Sequence, residues 1–175
     1  MKTIVIYSSK TGFTEKYARW LQQDLNCDCV DFSHRAEVSL ADYQAIAFGA
    51  GVYVGRIRKL AWLKRQLPAI RGKRVAVFFT AAMPPDHTDI RRVERENFQP
   101  EELRFIRPFY LQGGLNYAAM SPTDKLLMAV FRKMLKAHAD TSKEKVMLQN
   151  VQQSFDKTSR ESLAPLEAYL KGEAQ

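Results

Sequence analysis

Apolar and polar positions alternate between two periods along this chain. Residues 3–7, Thr-Ile-Val-Ile-Tyr, form a continuous apolar run of the kind that makes a strand covered on both faces. Phe13, Tyr17, Trp20, Leu21 and Leu25 then recur at three-to-four spacing, which predicts an amphipathic helix. Residues 27–32 predict a short second strand. Residues 45–50, Ala-Ile-Ala-Phe-Gly-Ala, predict a third, buried and ending in small side chains. Leu60, Leu63, Leu67 and Ile70 mark a helix stopped near Pro68 and Gly72. Residues 74–79 make the clearest strand, and 90–97 a short charged helix. A fifth strand is expected at 105–112, which Pro108 would disturb if it lay in the sheet interior. Helices are expected over 124–138 and 159–171, the last with a late start or kink at Pro165.

Strands alternate with helices, and strands 1, 3 and 4 are apolar on both faces. That pattern predicts an α/β domain with a parallel sheet between helical layers. With no repeat, low-complexity tract or linker, residues 1–175 are expected to form one domain, interrupted by a basic helical insert at about 118–145.

The segment joining strand 1 to its helix, Ser9-Lys10-Thr11-Gly12-Phe13-Thr14, carries the chemistry of an anion site. It combines three hydroxyls, a glycine that permits a tight turn, and the N-terminus of a helix. The same residues would also serve as an ordinary helix-capping turn. The P-loop pattern and the dinucleotide glycine fingerprint are both missing from this position. Two more loops end in small residues: Ala50, Gly51, Val52, Tyr53, Val54 and Gly55 after strand 3, and Thr80, Ala81, Ala82 and Met83 after strand 4. Glycines make room for a flat ligand, and Tyr53 offers a stacking face. His87, beyond the second of these loops, reads either as a proton shuttle or as a solvated loop residue.

The motif Ser9-x-Thr11-Gly12-x-Thr14 after an Ile-Val-Ile-Tyr strand resembles the flavodoxin phosphate loop. The resemblance implies a doubly wound sheet of five parallel strands in the order 2-1-3-4-5, with FMN as cofactor. Residues 9–14 would hold its phosphate, and residues 50–55 and 80–83 its ring. Many flavodoxins carry Trp in the first ring loop and Tyr in the second; here Tyr53 is the lone aromatic of both. Gly49-Ala50 with Gly55, Gly113-x-Leu115-x-Tyr117 and Asp140-Thr141-x-Lys143-Glu144 further resemble the menaquinone-linked protoporphyrinogen oxidase branch. Branch membership implies an oxidoreductase that takes electrons from a porphyrinogen-type substrate and passes them to a quinone. The alternative is an electron carrier that serves a partner reductase and has no substrate of its own.

The net charge of +8 favours anionic partners. It also departs from electron-carrying flavodoxins, which tend to be acidic. Basic residues concentrate over 125–145, so the 124–138 helix reads as a core-facing helix, a grip for an acidic partner, or a contact with an anionic membrane. Charge alone supports no nucleic-acid motif, and none is expected to bind. Cys27 and Cys29 offer too few ligands for a zinc site and are expected to stay reduced, with no metal bound. Without a signal-peptide pattern or a long apolar run, a cytoplasmic protein is expected, with contact at the inner face of the membrane compatible with the basic helix.

Overall fold

A computed structural model describes residues 1–137 and 151–173. Five strands run parallel: β1 (Thr3–Ser8), β2 (Asp28–Asp31), β3 (Ala45–Tyr53), β5 (Arg74–Ala81) and β6 (Ile106–Gln112). Their order is β2-β1-β3-β5-β6, the doubly wound order expected from the sequence. A two-residue strand, β4 (Arg56–Ile57), adds antiparallel to the end of β3.

The sheet is sandwiched because its strands are apolar on both sides. Ile4 and Ile6 of β1 and Val75, Val77 and Phe79 of β5 face one layer, with α2 (Leu60–Gln66) and α3 (Thr88–Asn97) packed on it. Val5, Tyr7, Ala76 and Phe78 face the other, covered by α1 (Phe13–Leu25) and the C-terminal α5 (Ala164–Lys171). Leu163, Leu166 and Leu170 are fully enclosed there, each burial contributing about 1.5–3 kcal/mol. On that side β3 presents Ala45, Ala47 and Gly49, whose small size admits Phe78 from β5.

Pro108 is accommodated because β6 is the sheet edge and needs hydrogen bonds on one side only. Pro165 sits in the first turn of α5, after a 3-10 turn at Arg160–Leu163, giving the late start. Two features depart from the expected pattern. Residues 50–53 are strand rather than open loop, because Val52 and Tyr53 extend β3 into a hairpin with β4. A small pair, β7 (Gly114–Leu115) with β8 (Phe155–Asp156), lies outside the main sheet, and α4 (Pro122–Ala137) leads away between them in sequence. The Asp140-Thr141-x-Lys143-Glu144 stretch and His138 lie outside the described residues.

Cys27 and Cys29 are free and half-buried. Burial pushes their thiols to about 12 and about 11, so both remain protonated and unreactive near neutral pH.

Candidate functional site

The loop after β1 turns at Gly12, whose φ of +95° favours glycine, and a Cβ there would meet nothing within 4 Å. Ser9 Oγ accepts from the Gly12 amide at 3.2 Å and fixes the turn. The amides of Thr11, Phe13, Thr14 and Glu15 have no acceptor among the described residues. Three of them belong to the first turn of α1, so they converge on one point with the helix dipole behind them. Such a row of donors suits a phosphate.

Thr14 is buried, and its hydroxyl lies 2.8 Å from that of Thr80 at the end of β5. A Cβ at Gly51 would stand 3.8 Å from Thr80 Oγ1 and 3.9 Å from Thr14 Oγ1. The ends of β1, β3 and β5 therefore meet at one place, the carboxyl edge of the sheet where the strand order reverses. Ala50 is buried beneath this junction.

The rim beyond it is the β3–β4 hairpin. Val54 and Gly55 form its tip with φ of +47° and +74°, both in the left-handed region. For valine this is a strained conformation, and its side chain is left exposed. Asn97 clamps the hairpin from α3: its Oδ1 accepts from the Ile57 amide at 2.9 Å and its Nδ2 donates to the Gly55 carbonyl at 2.7 Å. Tyr53 is 38% exposed at the rim, so its ring is accessible to a flat ligand.

The β5 loop is held from below. Tyr110 donates to the Ala81 carbonyl at 3.1 Å and also to the Met83 carbonyl, and the Gly113 amide donates to Ala81 at 2.7 Å. Burial raises the Tyr110 phenol, keeping it a donor. With its carbonyls engaged, the loop offers the amides of Ala82 and Met83, which have no acceptor among the described residues. These donors fit the carbonyl edge of a flavin ring.

Phe13 does not face the cup. Its ring packs on Gly113 and Gly114, where a Cβ would come within 3.4 Å and 2.9 Å of it. Lys10 reaches across the mouth instead. Its Nζ lies 2.8 Å and 3.0 Å from the two Asp124 oxygens and 5.0 Å from the centre of the Tyr53 ring. Asp124 opens α4 and also accepts from Ser121 Oγ at 2.8 Å, while Asn116 Nδ2 donates to the Thr11 carbonyl at 3.3 Å. Sequence reasoning missed Asn97, Tyr110, Asn116 and Asp124, all of which act on the loops from distant parts of the chain. The Gly113-Gly114 pair was the one local sign of a close approach.

His87 Nδ1 accepts from the Asp89 amide at 3.2 Å and caps α3. That employs it structurally, as the cap of α3. Two hollows of about 430 Å³ also lie elsewhere, one beside Trp62 and Arg35, the other beside Phe105 and Tyr169. Both are lined without a single residue of the three loops. The open cup is the better candidate because its donors converge. Among the described residues no group of three His, Cys, Asp or Glu side chains could hold a metal ion.

The hydrogen bonds from Lys10 and Ser121 hold the Asp124 carboxyl below the usual carboxylate range. A depressed folded value stabilises the protein above the unfolded pKa of about 3.9, and that stability is lost as pH falls through the folded value. Asp24, bonded to Arg160, and Asp31, bonded to Ser33, share the sign. Glu94 and Glu167, raised by burial, have the opposite sign. The whole-protein curve is thus a partial cancellation, and a difference between variants isolates one group. Between pH 6 and pH 3, Tm should fall less steeply for Asp124→Asn than for the wild type; parallel curves would show that the Lys10 pair contributes nothing.

The profile of a family described as a flavodoxin domain matches residues 4–142. An uncharacterized protein of Methanocaldococcus jannaschii, MJ0298, is 24% identical over 118 residues, covering 67% of this chain and 79% of that protein. Among solved structures, the WrbA-like flavodoxin of Agrobacterium tumefaciens aligns with 22% identity and a TM-score of 0.39, over 48% of this chain. The match spans 62% of that protein, less than two thirds of its length. The Trp repressor binding protein of Bacillus subtilis aligns with 13% identity and a TM-score of 0.46, over 66% of this chain and 85% of that one.

Proposed function

This chain belongs to the flavodoxin domain family, and on that premise we propose that it is an FMN-dependent oxidoreductase with its cofactor seated at the carboxyl ends of β1, β3 and β5. The observation that carries the reading is the set of acceptor-free amides at Thr11, Phe13, Thr14 and Glu15, beside the buried Thr14 hydroxyl. Bound there, the flavin supplies reversible electron transfer. The chain's own residues do the rest. The α1 amides and threonine hydroxyls would hold the phosphate, and the Ala82 and Met83 amides with Tyr53 would hold the ring. Lys10, paired with Asp124, would close the mouth beside the Tyr53 ring as a nearly neutral ion pair.

The Gly113-x-Leu115-x-Tyr117 stretch and the basic segment after it support a porphyrinogen-type electron donor and a quinone acceptor. A second reading, a carrier that hands electrons to a redox partner protein, is favoured by the exposed rim at Tyr53 and Val54, which leaves the ring edge reachable by another protein. No described helix is long and apolar enough to cross a membrane.

The first experiment is titration of the purified protein with FMN. Yellow, flavin-containing protein is expected; a colourless protein that leaves added FMN free would end the proposal. Protoporphyrinogen oxidation with a menaquinone analogue then separates the two readings. Turnover identifies the enzyme, and its absence alongside fast electron exchange with a reductase identifies the carrier.

A further inference from the structure

Nine large apolar side chains are exposed among the described residues, and four of them (Leu126, Leu127, Val130 and Met134) lie on α4. Their concentration on one helix is unlike the scatter of single apolar residues on an ordinary surface. At 100° per residue these four occupy an outward arc of about 100°. The opposite side of α4 is tied to the domain: Asp124 bonds Lys10, and the Arg132 guanidinium lies 5.6 Å from the centre of the Tyr117 ring. The outward stripe therefore lies away from the side that Asp124 and Arg132 tie to the domain.

Charge defines what fits it. Lys125, Lys133 and Lys136 fill an adjacent arc of about 80°, directly bordering the stripe. All three are exposed, and none has an acidic partner among the described residues. From residue 125 to 137 the helix contains no Asp or Glu. An apolar stripe edged by lysines matches the boundary of an anionic bilayer, where acyl chains take the stripe and headgroups take the ammonium groups.

We propose that α4 docks on an anionic lipid surface through Leu126, Leu127 and Val130, with Lys125, Lys133 and Lys136 on the headgroups. This goes beyond the cofactor reading and stands on α4 itself. It has a consequence for the site, because α4 is bolted to the phosphate loop. Lys10 spans from Asp124 in its first turn to the Tyr53 ring, so the exposed hairpin tip at Tyr53 and Val54 adjoins the docking helix. A docked protein would hold its cofactor mouth beside the lipid.

Sedimentation with sucrose-loaded vesicles tests this on the full chain. Wild-type protein is expected to pellet with vesicles of equal phosphatidylcholine and phosphatidylglycerol, and to remain in solution with phosphatidylcholine alone. Leu126→Glu with Val130→Glu should cut partitioning more than about tenfold, since both apolar contacts are lost. Lys125→Glu with Lys133→Glu should lose at least about fivefold per lysine. Both variants should keep wild-type melting and FMN titration curves, because the four positions lie outside the cofactor site. Wild-type protein that ignores anionic vesicles overturns the proposal, as does binding that survives the Leu126→Glu, Val130→Glu exchange. A dimer that this exchange disperses, without any vesicle binding, assigns the stripe to self-association and overturns it too.

Discussion

Replacing Thr11 and Thr14 together with alanine is expected to weaken FMN binding about a hundredfold or more, while riboflavin stays within about threefold. A hydrogen bond to a charged group contributes about 1.5–3 kcal/mol, so two of them reach that loss. Riboflavin has no phosphate and registers only what their removal does to the ring seat. The prediction is sharpened by the contact between the Thr14 and Thr80 hydroxyls. Thr14→Ala also leaves Thr80 without its partner, which costs stability and could disturb the ring seat. Thr80→Ala is therefore the control. It removes the same internal hydrogen bond but spares the hydroxyl nearest the α1 amides, so FMN should fall far less than in the double variant. Fluorescence titration with both flavins measures this. Equal losses of FMN and riboflavin would remove the phosphate from this loop.

Gly49→Val is expected to destabilise the fold by about 3 kcal/mol or more, near the upper end of overpacking effects. Any Cβ at this position would stand 2.0 Å from Phe78 Cζ, far inside van der Waals contact, and that ring is wholly buried between the sheet and the α1/α5 layer. Neither strand can yield, because β3 and β5 are paired side by side from Ala45↔Arg74 to Gly51↔Thr80. The milder Gly49→Ala should be partly rescued by Phe78→Leu, since the smaller side chain vacates the space the new methyl needs. Denaturant unfolding of the two single variants and the double gives the coupling between them. Strict additivity would mean that the glycine is required for some reason other than this contact.

Both predictions concern positions whose residue type was visible in the sequence but whose partner was not. The run from β1 through Gly12 into α1 was legible because every signal in it is local: a two-sided apolar strand, hydroxyls, a glycine, then a helical period. The order of the five parallel strands followed once the loop resembled a known pattern. Glycines misled at residues 50–55, where an open loop was expected. There Val52 and Tyr53 carry β3 onward, and only the Val54-Gly55 tip leaves the sheet. Nothing local announces a hairpin whose short return strand is held by Asn97, 40 residues away from Ile57.

What the sequence alone determined is the class of fold and the turn at Gly12 that joins β1 to α1, because hydrophobic periodicity and turn chemistry act over a few residues. Only the tertiary structure decided which groups stand together at the mouth. Lys10 meets Asp124 across 114 residues, Thr14 meets Thr80 across 66, and Tyr110 reaches the β5 loop from the neighbouring strand. Such pairings depend on how twisted strands and packed helices align, and no period in the chain encodes that alignment. The outward face of α4 belongs to the same category. Its apolar and basic residues could be read in order, but whether they pack inward or face out was settled by which side of the helix Asp124 and Arg132 tie to the domain.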